Sequence, residues 1–218
     1  MNDLSASPNH YYLHKRPEML KYLDPQAQKI LDIGCSSGGF INELKALRTC
    51  EVWGIELNSQ AAQSAAKVAD RVLQGDVFAK INELPNDFFH TIFCNDILEH
   101  LSQPFDLLEG LKQKLKSHGQ IIISIPNVRY VKNLFNLLIK KDWQYTNEGV
   151  LDRTHLRFFT KKSMTRSLLE RKWSIEKVEG IYKTKLNYIY FVLNMISVGL
   201  LSDAQFMNYV FVIRAGRS

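Results

Sequence analysis

At 218 residues, with 45% hydrophobic and 23% charged side chains, the chain has material for one domain with its own core and too much apolar content for disorder. Cys35, Cys50 and Cys94 are odd in number and lack C-x-x-C spacing, which argues against a disulfide framework or a cysteine zinc site and fits a reducing compartment. The net charge of +6 is uneven: residues 1–100 carry 9 Lys+Arg against 13 Asp+Glu, residues 101–218 carry 19 against 9, so the second half would attract an acidic acceptor, nucleic acid or a lipid headgroup unless its lysines only solvate helix faces.

The opening M-N-D-L-S-A-S-P-N-H shows no leader pattern, and a cytoplasmic protein is expected. His10 to Leu23 sets Leu13, Pro17, Leu20 and Leu23 at helical spacing, which predicts a cover helix over 10–24. Ile30 to Phe40, I-L-D-I-G-C-S-S-G-G-F, is an apolar run, an acid, a glycine-rich turn and an amphipathic start: strand, turn, helix. Such a turn leaves backbone N–H groups unpaired at the head of the next helix. The dinucleotide pattern G-x-G-x-x-G aligns Gly34, Ser36 and Gly39 and lacks its second glycine. The segment resembles motif I of the class I S-adenosylmethionine-dependent methyltransferases, an acid, any residue, then G-x-G-x-G. Asp32, Gly34 and Gly38 match, and Ser36 stands for the middle glycine. The resemblance implies S-adenosylmethionine as cofactor, held by these residues.

Phe40 to Leu47 reads as a helix and Glu51 to Leu57 as a second strand ending in an acid. In a doubly wound sheet an acid there bonds ribose hydroxyls, which assigns Glu56, with Leu57 beside it, to the cofactor. Asn58 to about Ala69 is an alanine-rich helix, and Arg71 to Gly75 a third strand. The family resemblance implies that Asp76 contacts the adenine amino group and the Val77 N–H its ring; a plain helix cap is the alternative for Asp76. Phe88 to Cys94 is a fourth strand, running into N-D-I-L-E-H-L. That element resembles the D-V-L-E-H-L of many class I methyltransferases, which implies that the Asn95 carbonyl meets the cofactor's ammonium group. His100 has a reference pKa suited to proton transfer. The element also resembles the E-x-x-E-H of ubiquinone-pathway O-methyltransferases and small-RNA 2′-O-methyltransferases. This implies magnesium near the acceptor hydroxyl, held by Asp96, Glu99 and His100. The alternative makes Glu99 and His100 braces for the next helix.

Pro104 to Lys116 reads as an amphipathic helix bearing Lys112, Lys114 and Lys116, and Gly119 to Ile125 as a strand buried on both faces. Residues 126–160 are too long for an ordinary loop. Val128 to Lys141 looks helical, with Val131, Leu134, Phe135 and Leu138 on one face. I-P-N-V-R-Y at Ile125 to Tyr130 and L-D-R-T-H-L-R-F-F-T at Leu151 to Thr160, with Tyr11-Tyr12 and Arg16 to Leu20, resemble methyltransferases associated with bacterial surface-glycan genes. The resemblance implies an insertion covering a small-molecule or glycan-linked acceptor. Trp143 and Tyr145 would stack a ring, Arg153 or Arg157 would pair an acidic group, and His155 would act as base or fourth metal ligand. Tyr12 and Arg16 would close over the cofactor, Arg16 reaching its carboxylate, unless they belong only to the cover helix. The competing reading of the insertion salt-bridges Asp152, Arg153 and Arg157 and buries Phe158 and Phe159.

Lys161 to Lys172 reads as a helix, Trp173 to Tyr182 as strand six and Gln205 to Arg214 as the last strand. Leu186 to Leu201 is apolar but shorter than the roughly 20 residues a bilayer needs, and suits a buried helix or contact with a second copy. The expected architecture is one α/β domain: a doubly wound, seven-stranded, mostly parallel sheet with helices on both faces, the last strand antiparallel by family resemblance. The expected function is methyl transfer from S-adenosylmethionine to an oxygen or nitrogen, with His100 or His155 as base. The rivals are an RNA methyltransferase with a divalent metal and a catalytically idle cofactor-binding protein.

Overall fold

The computed structural model describes residues 15–184 and 187–216. Its seven strands form one sheet in the order β3-β2-β1-β4-β5-β7-β6. They are β1 Lys29–Ile33, β2 Glu51–Glu56, β3 Arg71–Gln74, β4 Phe89–Asn95, β5 Leu115–Pro126, β6 Trp173–Lys183 and β7 Phe206–Ala215. The first five pair in parallel, and β7 runs antiparallel to both β5 and β6. The doubly wound, mostly parallel architecture expected from the sequence is the one observed. The helices are α1 Gly39–Leu47, α2 Ser59–Ala65, α3 Val77–Lys80, α4 Pro104–Lys112, α5 Val131–Leu138, α6 Lys161–Glu170 and α7 Asn187–Ile196.

Consecutive residues of the central strands point to opposite faces, and both faces are covered. Leu31, Ile92 and Ile121 join Leu107 and Leu111 of α4 and Met164 and Leu168 of α6 in one core. Ile30, Phe93 and Ile122 join Ile41 and Leu44 of α1 and the buried Met19 and Tyr22 in the other. With both faces sealed, a ligand can reach the sheet only at strand ends. Strand order reverses between β1 and β4, so their carboxyl ends open a crevice there.

Several boundaries differ from the sequence reading. Helix α2 stops at Ala65. Helix α4 stops at Lys112, and β5 starts at Leu115, which joins the core. Lys114 is therefore not on a helix face. It is buried, and its Nζ donates to the Leu84 carbonyl at 2.9 Å and Asn86 Oδ1 at 2.8 Å. Lys116 lies within β5. The cover helix is a 3₁₀ turn, Pro17–Tyr22; Tyr12 and the rest of 10–14 lie outside the described residues. Helix α5 is shorter than 128–141 and leaves Phe135 and Leu138 exposed. No described helix is long and apolar enough to cross a membrane.

Candidate active site

The turn after β1 has the backbone its glycines imply. Gly34, Ser36 and Gly38 all take left-handed torsions, with φ of 72°, 52° and 84°. Ser36 thus adopts the shape that glycine supplies in the motif it resembles, at a cost on the order of 1 kcal/mol. At Gly38 a Cβ would lie 2.6 Å from Val68 Cγ2 and 3.0 Å from Ala65 Cα, so α1 can start this close to α2 only with glycine.

Glu56, at the end of β2, faces this turn. Its Oε2 accepts the Ser36 N–H at 2.8 Å and its Oε1 the Asn58 N–H at 2.8 Å. Asp32 is buried close by; burial first, then the Glu56 charge, raise its carboxyl to about 8. Asn95 closes β4 one residue after Cys94, which pairs with Ile33 just before the turn. The Ser36 hydroxyl and both polar atoms of the Asn95 amide are buried without a hydrogen-bond partner among the described residues. Buried polar atoms left this way fit a polar ligand better than a closed core. Leu57 is about half exposed. Asp76 is exposed, and its Oδ1 caps α3 by accepting the Phe78 and Ala79 N–H groups at 2.9 and 3.4 Å, so the capping alternative holds for that oxygen. Val77 is buried.

Asp96 is not where the metal pattern put it. Its backbone is left-handed, φ 48°, and its carboxylate is not among the ligand atoms that Glu99 and His100 bring together. Oδ1 accepts from Ser124 Oγ at 2.6 Å and Asn208 Nδ2 at 3.1 Å, and Oδ2 is ion-paired with Arg16. Arg16 also donates to Glu18 Oε1 at 2.6 Å and Ser124 Oγ at 3.0 Å. Arg16, expected to reach the cofactor, is thus committed to Asp96 and Glu18.

His155 takes the place expected of Asp96. Glu99, His100 and His155 each bring one ligand atom to within 4.8 Å of the others. The Glu99 carboxylate is 1% exposed and has no hydrogen-bond partner among the described residues, and its Oε1 lies 4.0 Å from His155 Nε2. Burial first, then the Asp96 charge, hold this carboxyl well above its usual range. His155 Nδ1 lies 3.1 Å from the Val150 carbonyl, which can only accept, so the ring N–H is on Nδ1 and Nε2 keeps its lone pair. Thr154 Oγ1 spends its hydrogen on Asp152 Oδ1 at 2.6 Å, so it accepts from His100 Nδ1 at 3.2 Å. Burial, reinforced by His155, presses His100 down to about 4; burial also lowers His155. Both rings are neutral at neutral pH, and both have Nδ1–H fixed from behind. That is the second layer that orients histidine ligands in metal sites.

The insertion is pinned to the same place. The Leu156 and Arg157 N–H groups both donate to the Glu99 carbonyl, at 2.8 and 3.0 Å. Arg157 braces the Ser102 carbonyl at 2.6 Å, and Asp152 serves Thr154, so the expected ion pairing of Asp152 with the arginines does not form. Arg153 is exposed. Phe159 is core, whereas half-buried Phe158 meets Trp143 at 5.5 Å, Tyr145 at 6.3 Å and His155 at 6.3 Å between ring centroids. Trp143 and Tyr145 thus connect to His155 through the Phe158 ring. Sequence reasoning missed Thr154, Ser124 and Asn208. A lone serine in the otherwise apolar β5 run was the available signal for Ser124; Thr154 sits in the quoted block, but its bond to His100 has no sequence signature.

Solved structures share this fold. A SAM-dependent methyltransferase from Archaeoglobus fulgidus superposes with TM-score 0.64 at 20% identity, over 91% of this chain and 90% of that one. One from Mesorhizobium loti gives 0.61 at 17%, over 91% and 96%. Among curated sequences, the mitochondrial ubiquinone biosynthesis O-methyltransferase of Schizosaccharomyces pombe is 28% identical over 71% of this chain and 58% of its own length. Its Pasteurella multocida counterpart is 32% identical over 51% and 53%. The chain spans little more than half the length of these curated relatives. A family model described as a methyltransferase domain matches residues 7–178, most of the chain. With its fold shared by solved SAM-dependent methyltransferases and the family model matching most of its length, the chain belongs to the methyltransferase-domain family.

Proposed function

We propose that the protein moves the methyl group of S-adenosylmethionine to an oxygen of a small acceptor, free or glycan-linked, beside a divalent cation held by Glu99, His100 and His155. The observation that carries this reading is the buried Glu99 carboxylate, unpartnered and 4.0 Å from His155. Such a group is costly unless something positive or donating meets it. The cofactor reading is supported by the crevice: the Glu56 carboxylate would repel a diphosphate and suit ribose hydroxyls, and the orphaned Asn95 amide and Ser36 hydroxyl offer polar contacts. Asp32, Gly34, Ser36 and Gly38 would line the turn side, Glu56 and Leu57 the ribose, Asp76 and Val77 the adenine, and the Asn95 carbonyl the ammonium group.

When bound, the cofactor supplies a methyl already made electrophilic by its sulfonium, and magnesium or manganese at the cluster would lower the pKa of the acceptor hydroxyl. His155, neutral and with its lone pair on Nε2, would give that lone pair to the cation, and the acceptor proton would then leave to solvent as attack proceeds; only in a cation-free site would Nε2 itself take the proton. Trp143, Tyr145 and Phe158 hold a flat acceptor in line, and positioning supplies much of the remaining rate. An oxygen acceptor agrees with relatives named as O-methyltransferases.

The test incubates labelled S-adenosylmethionine with the protein and fractionated cell extract, with and without EDTA. Label entering a small molecule, lost with EDTA and restored by Mn²⁺, is expected. Calorimetric binding of NADH in place of S-adenosylmethionine overturns the cofactor reading. Transfer indifferent to EDTA and to Glu99→Gln overturns the cation. Label in RNA alone replaces the acceptor, and cofactor binding with no transfer to any fraction identifies an idle protein.

A further inference from the structure

Helix α5 is amphipathic the wrong way round. It buries Asn133, whose side chain reaches the Val128 carbonyl at 3.4 Å, and leaves Phe135 and Leu138 52% and 68% exposed. Ile139, which follows, is 67% exposed. At the end of α7 and just beyond it, Ile196, Val198 and Leu200 are 73%, 91% and 76% exposed. The two segments are held side by side: the Val131 N–H donates to the Ala204 carbonyl at 2.8 Å, and Arg129 to the Leu200 carbonyl at 2.8 Å. Folding alone gives no reason to turn an asparagine inward and a phenylalanine and leucine outward. Apolar side chains gathered at the surface this way mark a face that something covers.

Charge decides what covers it. No Asp or Glu occurs in residues 126–141 or 180–202. Lys132, Lys140 and Lys141 are exposed along the first segment. Asp203, at the junction, is already paired with Arg129 at 2.8 Å, and Lys161, Lys162 and Arg166 of α6 line an open cavity against it. Glu170 also lines that cavity, but a second copy laid on the two apolar segments would set lysines against lysines with no acid within either segment to answer them. A bilayer with anionic headgroups satisfies both features: the apolar side chains enter the acyl boundary, and the lysines meet the headgroups.

We infer that the α5–α7 face docks the protein on an anionic membrane surface, as a peripheral contact and not a span. This does not rest on the methyl-transfer reading. The test is co-sedimentation of the full chain with vesicles of phosphatidylcholine alone and with about one-third phosphatidylglycerol added. Pelleting with the anionic vesicles only, weakened by salt, is expected. Ile139→Glu and Val198→Glu should each cut the bound fraction about fivefold or more without changing the thermal midpoint. Leu47→Glu, at an exposed site on α1, should bind as the parent does. Failure to pellet with anionic vesicles, or equal pelleting of the two face variants, overturns the inference. So does a concentration-dependent dimer that Val198→Glu dissolves while no vesicle binding occurs.

Discussion

Replacing Thr154 with valine should loosen divalent-cation binding while leaving S-adenosylmethionine binding intact. Valine keeps the shape of threonine, so no cavity opens; only the hydroxyl goes. That hydroxyl donates to Asp152 at 2.6 Å and accepts from His100 at 3.2 Å. Asp152 Oδ1 keeps the Thr154 backbone N–H at 2.8 Å, so the carboxylate is still anchored. His100 keeps its contact with the Thr154 backbone but loses the hydroxyl that its Nδ1 meets. The imidazole proton is then held less firmly on Nδ1, and a proton on Nε2 would remove the lone pair a cation needs. Losing a buried partner costs about 1–3 kcal/mol, and outer-layer changes of this kind lower metal affinity roughly 10- to 100-fold. Calorimetric titration with Mn²⁺ reads the effect, and a parallel titration with S-adenosylmethionine checks that the crevice is unharmed. Thr154→Ser, which keeps the hydroxyl, should recover most of the affinity. Unchanged Mn²⁺ affinity in a folded Thr154→Val protein would refute the relay from Asp152 through Thr154 to His100.

Three further outcomes follow from the crevice. Glu56→Ala should abolish measurable cofactor binding and also lower stability by about 2 kcal/mol, because two backbone N–H groups lose their acceptor; chemical denaturation separates the two effects. Asp32 has a carboxyl raised to about 8, so its contribution is present at low pH and is lost as pH rises from about 4 toward 8. Thermal melts of the ligand-free protein should therefore fall between pH 6 and pH 8, by up to about 1.4 kcal/mol per pH unit, and Asp32→Asn should flatten that decline; parallel slopes would show that Asp32 is ionised throughout. Gly38→Ala should cost on the order of 2 kcal/mol from its left-handed torsion and the contact with Val68, and Val68→Ala in the same chain should return part of it.

The sheet was legible because its strands hide both faces. Runs such as Gly119 to Ile125 have no other economical fold, and the acids and glycines at their ends mark where parallel strands open. Lys114 was misread because an amphipathic pattern runs past the real end of α4 into Leu115, which belongs to the next strand's core. Asp96 was misread for a different reason. Its partners Arg16, Ser124 and Asn208 are 80, 28 and 112 residues away, and only the closed sheet brings them together. No residue pattern encodes that convergence. His155 was legible as a candidate because an imidazole inside a distinctive block has chemistry of its own. The Val150 carbonyl that sets its tautomer has no side-chain signal at all.

The double anchorage of Leu156 and Arg157 on the Glu99 carbonyl has a mechanical consequence. The segment around Leu156 is riveted to the very residue whose side chain lies beside the histidines, so it cannot shift without pulling on Glu99. The stretch from Trp143 to Gly149, by contrast, is largely open to solvent, and substitutions can accumulate there while Glu99 and the histidines stay where they are.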